Sequence, residues 1–189
     1  MSLRAAFPDH GYLPRKGEFL HHVIEEYPLR LIGLDTVSPG KDAGRMCPAR
    51  LEWLDTRLRE QPARPAVLYM HHPPFQTGIE RMDELGMEEG AGLLAEIVAR
   101  HPQVERVVCG HVHRPVQMRW AGTVVSCAPS IAFQFTLNLK PGGKLALTLE
   151  PPGVPLLLWR PGTGLIGHTG FPDTYPGPYP TRDASGARL

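Results

Sequence analysis

Cysteine is scarce in this chain, charge is balanced and long apolar runs are missing, and each shortage closes off a class of protein. Three cysteines, Cys47, Cys109 and Cys127, occur in 189 residues. The number is odd, no C-x-x-C pair is present, and Cys109 and Cys127 sit in apolar runs, where buried thiols are common. This excludes a disulfide framework and implies a reducing compartment. Twenty Lys and Arg face nineteen Asp and Glu, for a formal net charge of +1, so there is no field suited to a nucleic-acid polymer and no acidic tail. No stretch approaches the ~18 apolar residues of a membrane span, and the start lacks the charged-then-apolar pattern of a signal peptide. The expectation is a cytoplasmic protein with no membrane and no nucleic-acid partner.

Glycine (20) and proline (21) are plentiful. Five of the prolines fall in the last 29 residues, beyond residue 160, so residues 1–160 are read as one partial domain and 161–189 as a Gly/Pro-rich tail, extended over the surface or disordered. A chain of this length holds one domain with a real core and is too short for two. Met1-Ser2-Leu3 runs into Arg4-Ala5-Ala6-Phe7-Pro8 without a cap or turn signal, which reads as a vector scar joined to a chain begun partway through.

Between these ends apolar periodicity alternates in type. Residues 28–36 read as a buried strand closed by Asp35 and Thr36, with Asp35 either approaching a site or bonding the loop before Ser38-Pro39-Gly40. Leu51, Leu54 and Leu58 recur at helical spacing behind Pro48, predicting an amphipathic helix over 48–61. Residues 66–70 form the next strand, and 76–90 lack periodicity. Leu93, Leu94, Ile97 and Val98 predict a helix over 87–100, with His101 a dipole partner in its last turn. Residues 104–109 make a third strand. The order strand, helix, strand, helix, strand argues for a layered α/β sheet with helices on one face. After it come two expected hairpins, 116–120 with 123–127 and 133–139 with 144–150, and a further apolar run at 154–159. Upstream, a brief strand is expected near 19–24, with His21 and His22 at the surface or in a hairpin.

The chemistry concentrates at the ends of two of these strands. Residues 66–70 run into His71-His72-Pro73-Pro74, and 104–109 into Gly110-His111-Val112-His113. Read as extended backbone, the i, i+2 spacing aims His111 and His113 at one pocket, and Gly110 permits a tight turn. Neutral imidazoles converging on a cavity can hold a first-row metal ion. The bland reading is that His71 and His72 cap a strand while His111 and His113 line a polar rim without metal.

At these residues the sequence resembles the C-terminal half of the calcineurin-like metallophosphoesterases. Met70-His71-His72-Pro73-Pro74 is similar to that superfamily's penultimate motif and Gly110-His111-Val112-His113 to its Gly-His-x-His motif. The double His-Pro-Pro and Ala128-Pro129-Ser130-Ile131-Ala132-Phe133-Gln134 bring it nearest the branch of bacterial cyclic-nucleotide and glycerophosphodiester phosphodiesterases. The resemblance implies the C-terminal half of a four-layer αββα sandwich, α/β in class, with a mostly antiparallel second sheet. It implies that His71 and His111 bind one metal of a two-metal centre, that His113 binds the other, and that His72 supports them or faces substrate. It also implies divalent ions (Mn, Fe, Zn or Co) clamping the attacking oxygen and the phosphate of a small phosphodiester.

The family's other motifs, Asp-x-His, Gly-Asp and Gly-Asn-His, do not occur in this chain. Without the bridging carboxylate, weak or single metal occupancy and an inactive polypeptide are expected, with no catalytic residue assignable. An exposed half-sheet implies self-association or pairing with the missing N-terminal half. The competing expectation is a degenerate half that serves as a non-catalytic interaction module. A structural zinc protein fits less well, because three histidines leave an open coordination position.

Overall fold

Apolar runs closed by turn residues become the strands of one sheet. The computed structural model describes residues 3–182; the reading of Met1 and Ser2 as a scar, and the tail beyond 182, lie outside the described residues. In chain order the elements are α1 Leu3–Ala6, β1 His22–Ile24, β2 Arg30–Leu34, β3 Gly44–Arg45, α2 Pro48–Glu60, β4 Ala66–Met70, α3 Glu80–Asp83 and β5 Met87–Glu89. They continue with α4 Ala91–Arg100, β6 Val104–Cys109, β7 Val116–Trp120, β8 Thr123–Cys127, β9 Gln134–Phe135, β10 Leu147–Thr148, β11 Val154–Arg160 and β12 Gly164–Gly170.

The principal sheet has the order β1-β2-β4-β6-β8-β7. Its centre, β2-β4-β6-β8, is parallel, and both outer strands are antiparallel. Parallel strands need crossovers: α2 and α4 supply those from β2 to β4 and from β4 to β6, and the link from β6 to β8 runs through β7. Ile32, Leu68, Val107 and Val125 point to the helical face and, with Leu54, Leu58, Leu94 and Val98, form the sealed part of the core. Removing a side chain such as Leu54 from that core costs about 2–5 kcal/mol by lost burial and cavity formation.

The opposite face of the sheet is covered in part by the antiparallel hairpin β11–β12, whose strand β12 touches β6. The layering is thus helices, principal sheet, then the β11–β12 pair, an α/β arrangement, while Phe135 of β9 lines the cavity at the histidine segments. Leu156 and Leu158 on the hairpin are 56% and 41% exposed.

Four expectations need revision. The helix expected from residue 87 starts at Ala91, because Gly90 takes φ +85 at its N-cap and Met87–Glu89 pairs with β3 instead. The hairpin expected over 133–150 shrinks to two residues in each strand. Residues 164–170, read as part of the tail, are a strand, so the boundary drawn at 160 falls inside a hairpin; three glycines there dilute the apolar pattern, and pairing with β11 supplies what local preference lacks. Finally, His21 is buried at 6% exposed, while His22 bonds the Leu20 carbonyl.

His21 makes folding pH-dependent. Its Nδ1 accepts the Asp35 amide at 2.9 Å and its ring stacks on Trp53. Burial, with Arg50 and His22 adding to it against an opposing Asp35, lowers its pKa from 6.5 to about 4. Between those values the unfolded chain binds the proton and the folded chain does not, so the contribution is complete above pH 6.5 and is lost as pH falls toward 4. Denaturant unfolding at pH 7.5 and pH 5 is expected to differ by about 2 kcal/mol from this group, at roughly 1.4 kcal/mol per pH unit below 6.5. A His21→Asn chain should show a flatter profile; an equal slope in both would contradict the assignment.

Candidate metal centre

Strands β4 and β6 are paired in register so that Met70 lies beside Cys109, and the segments leaving them diverge from the sheet together. The Gly110 amide donates to the His71 carbonyl at 3.0 Å, which ties the two histidine segments to each other. The route taken by Gly110-His111-Val112-His113 differs from the extended backbone expected. His111 and His113 have φ of 69 and 51, in the left-handed region, and Gly110 does not. Each such residue costs on the order of 1–3 kcal/mol unless its surroundings fix it. Here the Val112 amide bonds the Gly110 carbonyl at 2.8 Å and the Val112 side chain is fully buried, an anchor between the two rings. Both rings still reach one cavity of about 280 Å³, lined by Asp42, His71, Met82, Leu85, His111, His113, Phe135 and Leu145.

Ligating nitrogens of His71, His72 and His111 lie within 4.8 Å of one another. Their hydrogen bonds separate their roles. The Thr36 hydroxyl donates to His72 Nδ1 at 2.8 Å, and His72 Nε2–H donates to the Asp42 carbonyl at 2.9 Å. Both nitrogens are thereby committed, leaving no lone pair for an ion. His71 Nε2 and His111 Nδ1 face each other at 3.2 Å. Two nitrogens on one tetrahedral ion at ~2.0–2.1 Å are about 3.3 Å apart, so this pair has the spacing of two ligands. His111 Nε2 is buried without a well-formed hydrogen bond, although the Leu85 backbone lies near it.

His113 is outside the three-ring group but on the wall of the same cavity. Its Nδ1–H donates to the Phe133 carbonyl at 3.1 Å and its ring stacks on Phe135. A backbone carbonyl on one imidazole nitrogen fixes the tautomer and leaves Nε2 with its lone pair, the usual support of a metal-binding histidine.

Electrostatics keep the group neutral. Burial first, then the neighbouring His72 and His71, bring His111 down to about 4, with the Leu85 backbone opposing. Burial, His72 and His113 lower His71, and burial lowers His72 against the Asp42 carbonyl. At neutral pH no proton has to leave these rings before an ion binds.

Sequence reading missed the groups that hold the rings. Thr36 stood at a strand end and was assigned nothing, while Asp42 and Phe133 act through carbonyls, which carry no residue signature. Asp35 takes the structural role of its two readings, accepting the Leu20 and Val37 amides. His10 bonds Tyr12 at the surface, and His101 caps α4 while its Nε2 meets Asp55 at 2.8 Å.

Fold and pocket together describe an α/β protein with histidines at the carboxyl ends of parallel strands, suited to divalent-metal chemistry. No family model matches the chain. A probable glycerophosphodiester phosphodiesterase GpdQ of Arcobacter nitrofigilis is 35% identical over 185 residues, 98% of this chain and 67% of that protein. A probable cyclic nucleotide phosphodiesterase of Synechococcus is 40% identical over 125 residues, covering 66% of this chain and 48% of that one. The 3',5'-cyclic adenosine monophosphate phosphodiesterase CpdA of Escherichia coli is 31% identical over 134 residues, covering 71% and 46%. The chain belongs to the calcineurin-like metallophosphoesterases, the family of these phosphodiesterases. It spans two thirds of the first relative's length and about half of the other two. A dimetal phosphatase structure from Danio rerio overlaps 59% of this chain and 49% of that one at TM-score 0.48 and 12% identity.

Proposed function

We propose that this chain supplies the histidine half of a divalent-metal centre that hydrolyses small phosphodiesters, of the cyclic-nucleotide or glycerophosphodiester type named in its relatives. The observation that carries the reading is the 3.2 Å approach of His71 Nε2 and His111 Nδ1, both held neutral, beside a cavity that His113 also lines. The donor set fits an ion such as Mn, Fe, Zn or Co: His71 and His111 would hold one, and His113 would face a second. Such an ion supplies positive charge opposite a phosphoryl oxygen. The chain's own part is to present unprotonated nitrogens, to hold the loop through His72, Thr36 and Asp42, and to line the open cavity with Met82, Leu85, Phe135 and Leu145.

Asp42 lines the cavity, but among the described residues no carboxylate joins the converging nitrogens of His71, His72 and His111, so a second dication has little to bind it. Weak or single occupancy follows, and the chain alone is inactive until a second copy or an N-terminal half adds carboxylates. The cytoplasm is its proposed location, since its three described cysteines are all unpaired. Turnover of bis(4-nitrophenyl) phosphate with added Mn²⁺ is expected to stay at the metal-ion background. Manganese-dependent turnover abolished by His111→Ala would overturn the inactivity.

A second reading, a non-catalytic interaction module, is favoured by the leucines standing in solvent, with Leu137, Leu139, Leu147 and Leu149 at 60% to 84% exposure. Light scattering separates this surface from a self-sufficient one: self-association supports it, and a monodisperse monomer at high concentration contradicts it.

A further inference from the structure

We infer that the chain carries a second ligand site, for a phosphoryl oxyanion, in the cavity of about 240 Å³ between the principal sheet and the β11–β12 hairpin, with Arg106 as its anchor. This cavity is separate from the histidine pocket and shares no lining residue with it.

Arg106 stands on β6 with its side chain partly buried, and its Nε is shut off from solvent with no hydrogen-bond partner. Among the described residues the guanidinium has neither an ion pair nor a hydrogen bond. The more deeply buried Arg30 and Arg50 have partners for their guanidinium ends, although Nε of Arg45, Arg50 and Arg57 is, like that of Arg106, buried without one. Arg30 meets Glu25, Glu60 and the Arg57 carbonyl, and Arg50 meets the Arg45 and Val37 carbonyls. Only Nε of Arg106 is cut off from water, where an unpartnered donor is costly, and the Nη groups stay accessible and free to meet an anion.

No Asp or Glu lines the cavity, so the positive charge is uncompensated there. Neutral groups surround it: Gln117 and Ser126 sit opposite each other across β7 and β8, and His168 and Thr169 come from β12. A guanidinium fork flanked by a hydroxyl and an amide is the donor set that recognises a phosphoryl or similar oxyanion. The roof is shaped to this arginine. A Cβ added at Gly167 would stand 3.0 Å from Arg106 Nη1, so the hairpin backbone passes close over the guanidinium. Leu157 supplies an apolar wall, leaving room for a small ester group beyond the phosphoryl oxygens.

The test uses the full chain in EDTA, which removes metal-dependent phosphate binding at the histidines. Inorganic phosphate and glycerol phosphate are titrated in parallel at constant ionic strength, with chloride as the reference, while the Arg106 Nε–Hε NMR signal is followed. A saturable shift of that signal is expected with both probes, and a tighter response to glycerol phosphate would show that the ester group is read as well. Arg106→Gln should weaken binding at least tenfold by calorimetry, and Arg106→Lys should retain part of it. Should Arg106→Gln not fold, Ser126→Ala is expected to weaken binding severalfold, and the wild-type signal remains decisive. No saturable shift with either probe, or undiminished binding in a folded Arg106→Gln chain, overturns the site.

Discussion

Zinc binding is expected to fall by about 100-fold or more in a His111→Ala chain, measured by calorimetry at pH 7.5. His111 is the residue on which the pocket converges: its Nδ1 faces His71 at 3.2 Å and its other nitrogen is buried. The ring also packs against both His71 and His72, at centroid distances of 5.0 and 4.9 Å. Alanine removes one of the two nitrogens that face each other, and His71 then has no second ligand at that spacing, so a first-row ion binds more weakly. His10→Ala is the matched control, since His10 bonds only Tyr12 at the surface, and its zinc affinity should equal that of the native chain. Equal affinity in the His111→Ala chain would place any bound ion elsewhere.

Gly90→Ala is expected to cost about 3 kcal/mol or more, seen as a loss of roughly 6–12 °C in the thermal midpoint for a chain of this size. Two effects add. Gly90 has φ +85, and an added Cβ would stand 2.1 Å from the Met46 carbonyl oxygen, a backbone atom that cannot swing aside. The close approach is built in by the β3–β5 pairing, where the Met46 amide bonds the Glu89 carbonyl at 2.9 Å and the Gly44 amide bonds the Gly86 carbonyl at 2.9 Å. Relief requires β5 to retreat, and the segment before β5 carries Met82 and Leu85 to the histidine cavity. Metal affinity should therefore fall along with stability. A variant melting within 2 °C of the native chain would show that the β3–β5 contact is not held in solution.

The strands that build the site were legible because each is an apolar run cut off by turn residues. The runs at 66–70, 104–109, 116–120 and 123–127 match β4, β6, β7 and β8, and the 48–61 helix ends one residue early. What escaped reading depends on distant partners. β3 and β5 are two and three residues long and exist only because they meet, and β12 is held by the seven-residue register with β11. The histidine motifs marked where the pocket lies, but not how the rings are held. The left-handed turns at His111 and His113 follow from the burial of Val112, which a period-two pattern cannot express. His72 is tied down by a hydroxyl 36 residues away and by a carbonyl from an irregular loop.

X-ray absorption at the zinc edge, on the chain loaded with one equivalent of zinc, examines the donor set itself. The structure predicts two or three imidazole nitrogens at about 2.0–2.1 Å, the remaining positions filled by oxygen, and no sulfur. A sulfur shell near 2.3 Å, which would bring in a cysteine such as Cys109 beside Gly110, or a shell of oxygen alone, would contradict a centre built on His71, His111 and His113.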